Sequence, residues 1–502
     1  MIEENKSSMK NSVRRLVIAG IGVLIQIIWV VVLVMRLNQY SQIITLLTVA
    51  IELVLVLAVY SMDTNAAFKL PWIILITVAP IVGICVFFLF GRSGATKKVR
   101  TRYRKIDQQL FAYLNQDEQI IEELSKKDER LANDFKYLWK CASSPVYKNT
   151  DVKYYGDTCD AMAAQLEDMM KAKQFIFLEY HAIEMAESFQ ALRKVLMAKA
   201  REGVEIRILY DDAGCIGFLN PRFIKYMESM GIQCRVFNPI MPVLNIFMNN
   251  RDHRKITVID GKVAYTGGYN LADEYFNITH PYGQWKDSGI RFEGDAVQTA
   301  TILFLEMWNA LKEQDVDIEK YLPVYPYKAK EQGFFALYGD SPLDKEPAGE
   351  NVYMNLLRHA KKYIYFTTPY LILSDEMTRE LTGAAKRGVD VRIITPGIPD
   401  KKTIFQVTKS YYPQLLKHGV KIYEYTPGFM HEKQCICDGE IVVVGTINLD
   451  FRSLYLHFEN AALFCGYEAV SHVKEDFDAL FPICKDMSKE PSERTRRLRL
   501  SQ

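Results

Sequence analysis

Two segments of this chain, NRDHRKITVIDGKVAYTGGYN (residues 250–270) and GFMHEKQCICDGEIVVVGTIN (residues 428–448), carry the same polar residues at the same intervals. His253 answers to His431, Lys255 to Lys433, Asp260 to Asp438, Gly267 to Gly445 and Asn270 to Asn448, each pair 178 positions apart. A lone histidine near a strand is most often a packed structural residue. Two identical polar sets have no packing reason, so the chain is constrained to two equivalent units that share one chemical task.

The runs that lead into each set repeat as well. AKQFIFLEY (172–180), REGVEIRILYDD (201–212) and GIQCRVFNP (231–239) precede the first; KKYIYFTTPY (361–370), KRGVDVRIITPG (386–397) and GVKIYEYTPG (419–428) precede the second. Short apolar runs alternating with helix-like stretches predict α/β layers around a mainly parallel sheet in each half.

On an extended strand residues i and i+2 share a face, so His253 and Lys255 point one way, as do His431 and Lys433. Packed about a pseudo-twofold axis, the four side chains meet in one cleft. One imidazole then serves as nucleophile and the other as acid and base, because histidine titrates near neutral pH. Two lysines, with amides from Asn270 and Asn448, suit the oxygens of a phosphodiester, and such a site has no call for a metal ion or other cofactor. Asp260 and Asp438 complete the motif but sit just before Gly261 and Gly439, where a short carboxylate caps a turn; both read as structural. A nucleophilic histidine needs an acceptor on its second nitrogen. Each repeat offers one downstream, Asp287 in QWKDSGIRFEG and Glu459 in HFENAALF, so Asp287 is the expected partner of His253.

The repeated His-x-Lys, four residues, Asp, six residues, Gly resembles the phospholipase D superfamily, and from residue 63 nearly to the end the chain resembles its bacterial cardiolipin synthases. The resemblance implies two α/β/α repeats, residues 141–325 and 326–485, sharing one active site. It also implies a phosphatidyl-histidine intermediate, with His253 as nucleophile, and conversion of two phosphatidylglycerol molecules to cardiolipin and glycerol. Water as acceptor, giving a hydrolytic phospholipase D or other phosphodiesterase, stays open at this level. A CDP-alcohol phosphatidyltransferase is excluded, since its Asp-Gly-x-x-Ala-Arg signature is absent.

Residues 16–35 and 71–90 are uncharged and each about the ~20 residues that cross a bilayer; residues 43–60 are apolar but interrupted by Glu52. Residues 1–90 are thus expected to form two or three transmembrane helices. Seven basic residues between Arg92 and Lys105, in a juxtamembrane linker (91–140), place the catalytic repeats on the cytoplasmic side of a cell membrane. Lys6, Lys10, Arg14 and Arg15 also favour the inside, and three spans cannot satisfy both flanks. A net charge of only +2 gives no sign of a nucleic-acid partner, whereas the arginines of RTRRLRLSQ in the tail (486–502) suit anionic lipid. The apolar stretches before each motif, 238–250 and 426–430, are candidate lips for acyl chains, with Phe247 and Met248 at the centre of the first. Nine cysteines fit a reducing compartment; Cys435 and Cys437 make at most half a zinc site and read as packing, and Tyr210-Asp211-Asp212 reads as a turn. The oligomeric state has no signature in these patterns.

Overall fold

The computed structural model describes residues 42–62, 64–91, 97–219, 222–239, 250–312, 315 and 317–489, together with some of residues 17–36. Residues 490–502 of the basic tail and the segment 240–249, with Phe247 and Met248, lie outside the described residues.

Two sheets form the body. The first runs Thr150–Tyr155, Gly289–Gly294, Val263–Gly267, Lys255–Ile259, Phe175–Tyr180, Glu205–Asp211, Gln233–Phe237; the second runs Phe334–Asp340, His457–Cys465, Ile441–Gly445, Gln434–Cys437, Tyr363–Thr367, Asp390–Pro396, Lys421–Tyr425, Cys484–Asp486. The predicted strands are all present, but the sheets are mixed rather than mainly parallel. Phe175–Tyr180, Glu205–Asp211 and Gln233–Phe237 run parallel through helical crossovers, while the motif folds back as an antiparallel hairpin. Asp260 and Gly261 are the central residues of the turn that closes that hairpin, both having positive φ (52° and 63°), and Asp438 and Gly439 do the same (53° and 72°); Lys262 and Glu440 close the turns by donating to the Ile259 and Cys437 carbonyls.

The two motif aspartates bond backbone at their turns. Asp260 accepts from the backbone N–H of Lys173, Gln174 and Phe175 at 2.7–2.9 Å, and Asp438 from those of Lys361, Lys362 and Tyr363 at 2.8 Å. Each pins its turn to the start of the neighbouring strand.

The two sheets face one another across a shared core. Helix Val297–Leu311 packs on the first sheet and on Phe334–Asp340 of the second, and helix Glu468–Leu480 packs on the second sheet and on Thr150–Tyr155 of the first. Phe177, Phe292, Phe304, Trp308, Phe335 and Phe464 belong to one continuous buried cluster that spans both repeats. The segment expected as a linker is part of this body: helix Lys97–Leu110 inserts Tyr103, Ile106 and Leu110 into that cluster, and helix Glu129–Ala142 packs Leu131, Phe135 and Leu138 on the second repeat. Basic residues at the other positions of Lys97–Leu110 hid this amphipathic spacing. Cys435 and Cys437 are buried and packed in the second repeat.

No helix among the described residues is long and apolar enough to cross a membrane. Gln42–Tyr60 is a 19-residue helix. The expected span 71–90 is broken into Ala66–Val78, Pro80–Val86 and Phe87–Gly91. Pro80 drives Ala79 out of helical conformation (φ −136°, ψ 72°) and the chain doubles back. Rings of Trp72 and Phe87 are 5.5 Å apart, whereas in a straight helix fifteen residues would separate them by about 22 Å. Gly83 permits the reversal, since a Cβ there would lie 2.5 Å from the Ile76 Cα.

Candidate active site

Each motif histidine enters the site on a short strand that pairs with the opposite repeat. Arg251–Asp252 lies parallel to His457-Phe458, and the His253 N–H donates to the Phe458 carbonyl at 2.9 Å. Gly428–Met430 lies parallel to Gln284–Lys286, and the His431 N–H donates to the Lys286 carbonyl at 2.8 Å. The next residues along those partner strands are Glu459 and Asp287.

The carboxylates are therefore exchanged between repeats. His253 Nδ1 bonds Glu459 Oε2 at 2.8 Å, and His431 Nδ1 bonds Asp287 Oδ2 at 2.5 Å. The expected pairing of His253 with Asp287 is corrected: sequence order suggests a partner within the repeat, but the crossing strands put each histidine beside the other repeat's acid. Within each repeat, Gly267 and Gly445 let the motif strand lie close to the neighbouring strand that carries the acid, since a Cβ would lie 2.4 Å from the carbonyl of Ser288 or of Asn460.

Both acids are fully buried and held ionised. Glu459 also accepts from the Thr446 hydroxyl at 2.5 Å and the Ser453 hydroxyl at 2.6 Å, and Asp287 from the Ser288 N–H at 3.0 Å. Burial works to raise their pKa values, but the adjoining histidines, joined at Asp287 by Lys433, outweigh it and hold both below the usual carboxylate range. Burial pushes the imidazoles down, His253 to about 3 against the pull of Glu459 and His431 to about 4 with help from Lys433. Each ring is thus neutral in the empty site, with its Nδ1 hydrogen on the carboxylate and Nε2 left for substrate.

Lys255 donates to the His253 carbonyl at 2.7 Å; Lys433 donates to the His431 carbonyl and lies 2.8 Å from His431 Nδ1. Burial lowers Lys255 to about 8 and Lys433 to about 7. Lys255 is acted on by Glu459 and Asp287, and Lys433 by Asp287, Lys255 and Glu459, so the two constellations form one electrostatic unit. An arriving phosphodiester anion would favour the charged form of both lysines. The asparagines differ: Asn270 donates to the Tyr275 hydroxyl at 2.8 Å and accepts from the Ala182 N–H at 3.1 Å, while the buried carbonyl oxygen of Asn448 has no hydrogen-bond partner among the described residues. Asp211 accepts from the Ala213, Gly214 and Asp252 N–H groups, the turn expected of that pair of acids.

The surroundings of the two histidines are unlike. His431 is ringed by Trp285, Tyr275 and Phe429, at 5.0, 5.2 and 5.8 Å between centroids. Phe429 and Met430 are buried there, so the second candidate lip packs inside the protein. His253 instead has His181 at 5.0 Å and His457 at 5.5 Å. Neither was found from the sequence, although His457 stands two residues before Glu459 on a strand and so shares its face. His181 Nδ1 bonds the Asp252 carbonyl at 2.7 Å and braces the backbone that carries His253. His253, His457 and Glu459 offer ligand atoms within 4.8 Å of one another, the one metal-like grouping among the described residues. Glu459 is already committed there to the His253 imidazole and the Thr446 and Ser453 hydroxyls, so the grouping reads as a carboxylate with its donors.

Two facing repeats, paired imidazoles each steered by a carboxylate and a lysine beside each imidazole define a two-histidine phosphodiester-transfer enzyme. The family described as "Cardiolipin synthase, PLD-like domain" matches residues 166–308 and 353–481, once in each repeat. A cardiolipin synthase of Halalkalibacterium halodurans is 32% identical over 442 residues, 88% of this chain and 87% of that one. An uncharacterized protein of Streptococcus mutans is 41% identical over 84% of this chain and 91% of its own. The phosphatidylserine synthase structure of Haemophilus influenzae aligns over 70% of this chain and 92% of that one, with a TM-score of 0.52 and 12% identity, a likeness of fold. The chain belongs to the phospholipase D-like cardiolipin synthase family, and is a phosphatidyltransferase.

Proposed function

We propose that this chain makes cardiolipin by moving a phosphatidyl group from one phosphatidylglycerol to another, glycerol leaving. The observation that carries the reading is the exchange of carboxylates, which makes both repeats necessary to each histidine and so one site of two. His253 Nε2 attacks phosphorus, the bond from phosphorus to the glycerol oxygen breaks, and His431, which takes up a proton from solvent on Nε2 as the anionic substrate binds, gives that oxygen the proton. A headgroup hydroxyl of the second phosphatidylglycerol then passes its proton to His431 as its oxygen attacks, and the phosphorus–nitrogen bond breaks. Lys255 and Lys433 hold the non-bridging oxygens, with the amides of Asn270 and Asn448 beside them. The assignment of roles draws support from the unlike surroundings: aromatic faces favour a cation, which suits the histidine that must carry a proton into the reaction.

The test is purified protein incubated with phosphatidylglycerol alone. Cardiolipin and glycerol in equal amounts are expected; phosphatidic acid as the sole lipid product would make water the acceptor and overturn the reading.

The reversal at Ala79 supports one membrane arrangement. If residues 16–35 and 43–60 cross while residues 66–91 enter and leave by the same face, the basic flanks before residue 16 and after residue 91 both lie inside, which removes the conflict that three spans create. Leu46, Leu53, Leu57, Leu70, Ile74 and Val78 are exposed and would face acyl chains. The hairpin also meets the second repeat near Asn448: Phe68 stacks on Phe451 at 6.2 Å and Asn65 donates to Glu376 at 3.0 Å. In that arrangement the contact would bring the bilayer beside the site. In intact cells a cysteine placed at Gln39 should react with an impermeant maleimide and one at Ser61 should not; labelling at Ser61 would refute the arrangement.

A further inference from the structure

His457 is a partly buried imidazole whose ring nitrogens are shut off from solvent, and it is without an assigned task. Its Nδ1 faces Glu459 Oε1 at 3.4 Å, an ion-pair contact, and its Nε2 has no hydrogen-bond partner among the described residues. Burying such groups unpaired costs stability, so an orphan of this kind marks a place where something else binds. Its position narrows what that is. His457 begins the strand His457–Cys465, pairs with Arg251 and shares a strand face with Glu459, which fixes its ring against that of His253. Its counterpart across the pseudo-twofold is Trp285, two residues before Asp287, whose ring lies against His431 and whose indole nitrogen is likewise buried and without a partner among the described residues. Indole is a donor only and aromatic in character, whereas imidazole carries two ring nitrogens that can donate or accept. The two halves of the site are thereby given different ligands, the more polar one on the His253 side.

We propose that His457 binds substrate: its ring N–H donates to a non-bridging oxygen of the phosphodiester that His253 attacks. The geometry favours this oxygen over the departing or incoming alcohol. In an in-line displacement at His253 the alcohol lies opposite the attacking nitrogen, towards His431, while a side chain flanking His253 reaches the equatorial oxygens. Glu459 then serves two imidazoles, steering His253 through Oε2 and drawing His457 towards Oε1. The inference rests on His253 being the nucleophile of the proposed reaction, and adds a fifth polar ligand to the two lysines and two asparagines.

The probe is inorganic vanadate, a phosphate-shaped anion whose binding requires neither lipid nor acceptor. His457→Phe keeps a flat ring and removes the donor; His457→Asn removes the ring and keeps one. In the full-length protein, His457→Phe is expected to weaken vanadate inhibition and lower kcat/KM by roughly 10- to 100-fold, the range for a lost hydrogen bond to a charged group, and His457→Asn to recover part of both. Vanadate inhibition within twofold of the parent in His457→Phe, or no recovery in His457→Asn, would overturn the proposal. If the phenylalanine variant does not fold, His457→Leu is read in the same way. Because vanadate reports the phosphate subsite alone, a parent enzyme that released phosphatidic acid instead of cardiolipin would refute the proposed acceptor and leave this measurement intact.

Discussion

With phosphatidyl-p-nitrophenol as donor, His431→Asn is expected to release one equivalent of p-nitrophenol per enzyme and then stall, while His253→Asn releases none. This leaving group departs without a proton, so the first step no longer needs an acid and proceeds if His253 Nε2 is free to attack. The second step still needs a base to take the acceptor's proton, and His431 is the base. Its removal should slow turnover roughly 10²- to 10⁴-fold and leave the phosphatidyl group on His253, where an acid quench and peptide mapping would find it. Loss of His253 removes the bond-forming atom, and turnover with either donor should fall on the order of 10⁴-fold or more. A burst from His253→Asn, with the adduct on His431, would reverse the two roles and leave the site itself unchanged.

Much of this site was legible before folding because its parts are local. Histidine, lysine, aspartate, glycine and asparagine fall within one hairpin, and the hairpin is written twice. The turn role of Asp260 and Asp438 could be read from the glycine that follows each. What could not be read is what depends on two chain segments crossing. The pairing of His253 with Glu459 spans 206 positions and is set by the two-residue strand Arg251–Asp252, too short to carry a periodic signal. His457 and His181 became visible only when their strands lay beside His253. The same limit explains the membrane segment: its apolar length suggested a span, and the reversal depends on what Ala79 does before Pro80 and on the absence of a side chain at Gly83. Helix Lys97–Leu110 was hidden for another reason. Its basic residues dominate its composition, and the buried Tyr103, Ile106 and Leu110 number too few to outweigh them by eye.

The exchange of carboxylates makes its own prediction, and the same donor reads it. Glu459→Gln should suppress the burst, lowering the first step roughly 10³- to 10⁴-fold, the size of loss when a carboxylate no longer fixes its histidine's tautomer. The amide has one oxygen where three donors, His253, Thr446 and Ser453, shared two. Ser453 bonds Oε1, while His253 and Thr446 share Oε2; if the amide oxygen stays with Ser453, the amide N–H turns to His253 Nδ1, the ring hydrogen moves to Nε2, and the nucleophilic lone pair is lost. Asp287→Asn acts on the other histidine by the same route. Its oxygen keeps the Ser288 N–H and its nitrogen faces His431, so the burst with p-nitrophenol survives while turnover collapses. Thermal unfolding of each variant separates this from loss of fold. Were the acids paired within their own repeats, the pattern would invert, with Asp287→Asn silencing the burst and Glu459→Gln sparing it. The experiment therefore asks whether each half of the chain can activate its own histidine, and the crossing strands answer that it cannot.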